Sequence, residues 1–520
     1  MKAMWRISVV LLLAQAFQPA RADTSVRPTM PNILFLCMDD LKPELGCYGS
    51  STVKTPNIDR LAQHGVLFEH HYVQQAVCGP SRASMFSGLR PDTTKVWDLQ
   101  HTCREECPQA FTMQEYFRKA GYQTAGSGKI MHGFKNDDPA SWSIPFVNPE
   151  NLPYADGRIP ALFQQYQGKV IHDVVKDLEK SGLKKYKEKQ QFMAERNAKP
   201  STECLDLPDD AYSDGAMTKW GIGMLESFAR SDQPFFLTLG YRKPHLPFVA
   251  PKKYWDRYDR KAINLAPFQE MPEGAPAYAY HPGYELGGYS DIDDIKNLKN
   301  NPEKQRELIH GYYACVSYVD TQIGKVLDAL EQTGLSGNTI IVLWGDHGWH
   351  LGDHGIWCKH STYEQAARSP LIIASPMMST GISSASVESV DIFPTLCELA
   401  GIAVPDQLEG ISLVPVLKDL SAKVKDFSMS QYPDHQRKGL MGYSMRTERY
   451  RLVVWVPESV SRTGKFDKAQ IDAVELYDYR TDPLETVSLA ENPEFAPVLK
   501  THLDMLSEWF KGNGPLSPRL

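Results

Sequence analysis

The sequence predicts an α/β fold, a large and mostly parallel central sheet flanked by helices, and three observations carry that expectation. Apolar runs of strand length recur without interruption, as in strands buried on both faces: "NILFLCM" (32–38), "PFFLTLGY" (234–241) and "NTIIVLWGD" (338–346). Segments with helical apolar spacing alternate with those runs, which implies parallel pairing and helices on both sheet faces. Cap and stop residues mark the changeovers between the two patterns. In such a sheet, ligands bind at the carboxyl ends of the strands.

Taken in order, the chain opens on Lys2 and Arg6, then the apolar stretch "ISVVLLLAQAF", then the small residues of "ARA" ending at Ala22. This is the pattern of a secretory signal peptide over residues 1–22, too short for a stable membrane anchor. It predicts export after cleavage, to a periplasmic, secreted or lysosome-like location. "TPNIDRLAQHGVLF" places a Thr cap before a helix, and "TMQEYFRKAGY" repeats the device and stops at Gly121. "YYACVSYVDTQIGKVLDALEQTG" is a long amphipathic helix with a glycine stop. Residues 176–199 carry mixed charge at helical spacing and predict an exposed insertion. The Pro- and Tyr-rich stretch 265–290 predicts a long loop at the mouth of a site.

Removing Lys2, Arg6 and Arg21 with the leader takes the formal net charge from −7 to −10. An acidic surface argues against nucleic acid, whose phosphates reward basic patches. An anionic substrate would need a local cationic pocket. Nine scattered cysteines make no disulfide scaffold. Cys103 and Cys107 could close a small loop or stay reduced, while Cys37 and Cys315 sit in apolar runs.

The chemistry gathers at the strand ends. The first apolar run ends in Asp39-Asp40, the second leads into Arg242, Lys243, Pro244 and His245, and the third ends in Asp346-His347. Carboxylates delivered to one place repel unless a cation sits among them. An oxygen-rich set of Asp39, Asp40 and Asp346 suits a hard divalent ion such as Ca2+ or Mg2+. One further cysteine, Cys78 in "AVCGPSRASMFSG", lies in a polar stretch beside Pro80, Ser81 and Arg82, where neither packing nor a thiolate metal site accounts for its neighbours.

Cys78-Gly79-Pro80-Ser81-Arg82 resembles the C-x-P-S-R signature of the type I sulfatases, the formylglycine-dependent family within the alkaline phosphatase superfamily. "DDLKPELGCYG" (39–49), "LRPDTTKVWDL" (89–99), "YRKPHLPF" (241–248) and "GYSMRT" (442–447) are similar to its iduronate 2-sulfatase branch. The resemblance implies that a formylglycine-generating maturation enzyme oxidises Cys78. The aldehyde hydrate so formed would attack sulfur with one hydroxyl and expel sulfate with the other. It further implies that Asp39, Asp40, Asp346, His347 and the modified Cys78 hold Ca2+, and that Arg82 positions the hydrate. Lys129 and Lys359 would bind sulfate oxygens, His132 would break down the sulfated intermediate, and His245 would protonate the leaving alcohol.

The resemblance also implies a catalytic domain over residues 23–420 and a C-terminal α+β subdomain over 421–520 with an antiparallel sheet and a terminal helix. Lys243 is balanced between substrate contact and pocket wall. Tyr443 and Arg446 suggest contacts to a sugar carboxylate, with a solvated strand edge equally open. His350 and His354, four apart, read as loop or cap groups and not as a zinc pair. The expected activity is hydrolysis of a sulfated saccharide, most directly a uronic acid 2-O-sulfate. Alternatives are a sulfatase for another sugar position or for aryl sulfates, a phosphodiesterase or phosphonate hydrolase, and a silent sugar-binding protein.

Overall fold

A computed structural model describes residues 30–132, 138–158, 165–436 and 438–513; the expected signal peptide lies outside them. Seven strands form the central sheet: β1 (Asn32–Asp39), β2 (Val66–Tyr72), β3 (Gln123–Gly128), β5 (Phe235–Pro244), β7 (Thr339–Gly345), β10 (Leu371–Ala374) and β11 (Gly381–Glu388). Two small ribbons accompany it, β4 (Thr202–Leu205) with β6 (Phe248–Pro251) and β8 (His350–Leu351) with β9 (Trp357–Cys358). The order is β11-β2-β10-β7-β1-β5-β3, with β10 alone antiparallel to its neighbours. All eight residues of β1 are buried, as its unbroken apolar pattern requires. One layer of core packs around Leu34, Leu36 and Met38, and the other around Ile33, Phe35 and Cys37, so alternate β1 side chains enter opposite faces.

The register carries the strand ends to one edge. Met38 pairs with Gly345 on one side and Tyr241 on the other, and the backbone N–H of Asp346 donates to Met38 O at 3.1 Å. The ladder shifts after Met38, so Asp39 stands opposite Pro244. Lys129, just past β3, donates its N–H to Gly240 O at 2.7 Å. That approach depends on Gly128 (φ +91°), where a Cβ would lie 2.0 Å from Gly240 O.

The long helix Pro302–Gln332 starts on Pro302, with the Asn301 side chain accepting from Lys304 N–H at 3.1 Å. It props the site from below. Tyr312 Oη donates to Asp40 O and accepts from Lys42 N–H, both at 2.8 Å, across the turn where Asp40 adopts φ 66°. Thr112 caps its helix as its position predicts, accepting from Glu115 N–H at 3.1 Å. Thr55 does not. Its hydroxyl serves Gly46 and Asp59, while Asp320 of the long helix accepts from the N–H groups of Asn57 and Ile58. Sequence proximity favoured Thr55, but a buried carboxylate from a distant helix won the position.

The second sheet is a four-stranded antiparallel meander of β12 (Phe427–Pro433), β13 (Leu440–Thr447), β14 (Tyr450–Pro457) and β15 (Ala473–Asp478). The terminal helix Ala496–Asn513 packs on it through Leu506 and Phe510. Arg90 and Lys425 converge on Glu388 at the end of β11, with Arg90 making two bonds of 2.7 and 2.8 Å. The segment 176–199 is largely exposed, with Leu178 and Met193 tucked into the core. Among the described residues no helix is long and apolar enough to cross a membrane.

Candidate active site

Cys78 is the first residue of the helix Cys78–Ser87 and only 2 % exposed, buried in spite of the polar stretch it lies in. Its Sγ lies 3.4 Å from His347 Nε2 and 3.9 Å from Asp40 Oδ1. Burial and the neighbouring Asp39 push the thiol well above its ordinary value, against the pull of Lys129 and Lys359. Unmodified, it is a neutral thiol here and a poor nucleophile.

The acidic strand ends surround it. Asp39 and Asp346 are fully buried, and Asp346 Oδ1 accepts the backbone N–H of Asp40 at 2.9 Å. His347 turns Nδ1 to Gly348 O at 2.9 Å, leaving Nε2 facing Asp40 Oδ1 at 3.3 Å and Asp346 Oδ1 at 3.6 Å. Asp39, Cys78, Asp346 and His347 present donor atoms within 4.8 Å of one another, as do Asp39, Asp40, Cys78 and His245. Burial raises the Asp346 carboxyl, and Asp39 adds to it, while His347 and Arg82 oppose them. A cation among these oxygens would relieve that repulsion, so the donor set fits a hard metal ion.

Arg82 is fully buried and ties this cluster together. Its Nε donates to Asp346 Oδ2 at 2.9 Å, Nη2 reaches Asp39 Oδ1 at 3.5 Å, and Nη1 donates to the carbonyls of Lys129 and Ile130. Ser81 Oγ donates to Asp346 O. In this placement Arg82 bonds both carboxylates, beside the role of positioning the hydrate that the resemblance implies for it. Burial drives the Asp39 carboxyl up, but Lys129, His245 and Arg82 outweigh it and hold Asp39 well below the usual range.

Cations and imidazoles complete the pocket. Lys129 Nζ pairs with Asp39. Lys359 Nζ, 2 % exposed, lies 3.1 and 3.2 Å from the two Asp40 oxygens and over the Trp349 ring. Burial would strip its proton, but Asp40, Cys78 and Glu285 hold it well above the ordinary lysine value. His245 sends Nδ1 to Leu246 O at 2.6 Å and places Nε2 3.9 Å from both Asp39 Oδ2 and Asp40 Oδ2. His132 is half-buried, and burial together with Lys129 brings it down to about 3, so it is neutral.

Three expected substrate contacts are engaged elsewhere. Lys243 Nζ is buried and donates to His245 O at 2.9 Å and Pro247 O at 2.6 Å, which makes it a brace of the pocket wall. Tyr443 points into the second core, its hydroxyl donating to Asp92 Oδ2 at 2.6 Å. Arg446 pairs with Glu364 at 3.2 Å and stacks 3.8 Å from the Tyr479 ring, lining a separate groove of about 420 Å³ with Tyr72 and Arg449. Strand alternation puts Tyr443 and Arg446 on opposite faces of β13, so one sugar carboxylate could not meet both. His350, in β8 and not in a loop, contacts Ser361 Oγ at 3.0 Å, and His354 contacts Leu484 O at 2.9 Å.

Glu285 is a site residue that sequence reasoning missed. Its Oε1 lies 3.1 Å from His245 Nε2 and its Oε2 2.8 Å from Lys359 Nζ. The only signal was its place in the predicted mouth loop, since no apolar run delivers it.

Known proteins are similar to this chain along most of its length. The family model described as Sulfatase matches residues 31–402, and one described as N-sulphoglucosamine sulphohydrolase, C-terminal, matches residues 352–511. Iduronate 2-sulfatase of Mus musculus is 33% identical, over 92% of this chain and 95% of its own length. The Homo sapiens protein of that name is also 33% identical, over 87% and 90%. The solved structure of a phosphonate monoester hydrolase from Silicibacter pomeroyi superposes with a TM-score of 0.68 at 23% identity, covering 94% of this chain and 97% of that one. That last likeness concerns the fold.

Proposed function

Since the chain belongs to the sulfatase family and is a sulfuric ester hydrolase, we propose that it is an exported, Ca2+-dependent enzyme that removes the 2-O-sulfate of a uronic acid in a sulfated saccharide. The observation that carries this is the burial of Cys78 among Asp39, Asp40, Asp346 and His347, with Lys129, Lys359 and His245 sharing the pocket. The uronate assignment rests on similarity to the two iduronate 2-sulfatases across nearly the whole chain.

Asp39, Asp40, Asp346 and His347 would hold a divalent ion, which would supply charge for sulfate oxygens and acidify the nucleophile. Formylglycine at position 78, made by a maturation enzyme, supplies the paired hydroxyls for attack and release. The chain's own groups do the remainder. Arg82 fixes the two carboxylates through its fork, so the ligand geometry is set before substrate enters. Lys129 and Lys359 exchange part of their pairing with Asp39 and Asp40 for sulfate oxygens, meeting the charge that builds during transfer. His245, whose Nε2 faces Glu285 in the resting site, donates a proton to the leaving alcohol, while neutral His132 accepts one.

The test is release of free sulfate from defined substrates: a 2-O-sulfated uronic acid, a 6-O-sulfated hexosamine, an aryl sulfate and a phosphonate monoester. Preferential turnover of the uronate is expected. Preference for the hexosamine sulfate or the phosphonate would replace the reading. Mass spectrometry of the peptide containing Cys78 checks the modification.

A further inference from the structure

We infer that Glu285 is a positioning residue that aims the leaving-group acid, His245, by bridging it to Lys359 across the mouth of the pocket. The inference rests on the sulfatase reading above and deepens it. Glu285 lies in the loop over residues 265–290, beside the exposed Tyr284, and is the element of that loop that reaches the strand-end cluster through both carboxylate oxygens.

The geometry is specific. Each ring nitrogen of His245 faces an acceptor, Leu246 O at 2.6 Å from Nδ1 and Glu285 Oε1 at 3.1 Å from Nε2. The ring is therefore held in one orientation, with the Nε2 proton resting on Glu285 Oε1 and passing to the leaving oxygen when that oxygen takes the carboxylate's place. Asp39 and Asp40 also face Nε2, but at 3.9 Å, outside hydrogen-bond range. Without Glu285, the acceptors left near Nε2 among the described residues would be those two carboxylates, and both belong to the proposed metal-binding cluster. The second oxygen of Glu285 holds Lys359 Nζ at 2.8 Å. A carboxylate accepts at both oxygens and serves two donors at once. A glutamine cannot, because its amide N–H would oppose either His245 or Lys359. Burial opposes the charge on Glu285, but Lys359 and His245 outweigh it and keep the group ionised.

A misaimed acid hurts substrates according to how much their leaving group needs a proton. A sugar or alkyl alkoxide needs it, whereas an acidic phenol leaves without help. Glu285→Gln should lower kcat on a sugar 2-O-sulfate by about tenfold to a hundredfold, and on nitrophenyl sulfate by less than about threefold. Glu285→Asp should recover part of the loss on the sugar. In a His245→Ala background, Glu285→Gln should leave the ratio of the two activities unchanged, since the group it positions is gone. Equal losses on both substrates, or a full additional change in the His245→Ala background, would overturn the role of Glu285 and leave the sulfatase reading intact. Wild-type protein with formylglycine in place that releases no sulfate from either substrate would overturn both.

Discussion

At the scale of single residues, the proposed chemistry rests on Cys78, Asp39 and Asp346. Cys78→Ala should reduce sulfate release to background, while thermal unfolding shifts by only a few degrees, because alanine suits the first helical residue and fills most of the same space. Retained turnover by the purified variant would remove Cys78 from the mechanism. Asp39→Asn and Asp346→Asn should each lose bound Ca2+ and activity together, since each takes a charged oxygen from a hard-ion site. Metal analysis against kcat for both variants checks this, and full occupancy with unchanged rates would contradict the ligand assignment. Asp39, Asp346 and His245 could be identified from sequence because each follows an apolar run, and strand ends in a parallel sheet share one edge. Arg446 could not, because a strand pattern tells which face a side chain takes and not that Glu364 waits there. Glu285 escaped for the opposite reason, since a loop residue carries no periodicity to place it.

At the scale of elements, the site depends on supports that contribute no chemistry. Tyr312 joins the long helix to the turn after β1 through two hydrogen bonds of 2.8 Å. Tyr312→Phe strands the N–H of Lys42 and the carbonyl of Asp40, and should cost about 1–3 kcal/mol in denaturant unfolding together with a loss of kcat. Unchanged stability would mean the turn holds itself. The buried strands, the long helix and the order of strand and helix were legible because periodicity reports burial directly. The Thr55 cap was misplaced because its competitor, Asp320, lies hundreds of residues away in sequence and beside it in space.

At the scale of the molecule, the two sheets are joined through buried charge. Glu388 accepts from Arg90, Lys425 and the backbone N–H of Met429. Burial raises its carboxyl, but Arg90 and Lys425 overcome that and hold it low. A depressed carboxyl contributes stability above its unfolded value of about 4.3, and that stability drains away as pH falls towards the folded value. Glu388→Gln should therefore cost about 3–5 kcal/mol at neutral pH, with wild type and variant converging in acid. Parallel stability curves from pH 7 to pH 3 would rule this out. The burial of Cys78 bears on a different matter, the order of events in the protein's life. A side chain only 2 % exposed at the floor of a pocket is out of reach of a second protein once the chain has folded. The proposed conversion to formylglycine would thus have to run a race against folding, and the fraction of active molecules would be decided during synthesis. Chains that folded first would be native in shape, inert, and beyond later repair.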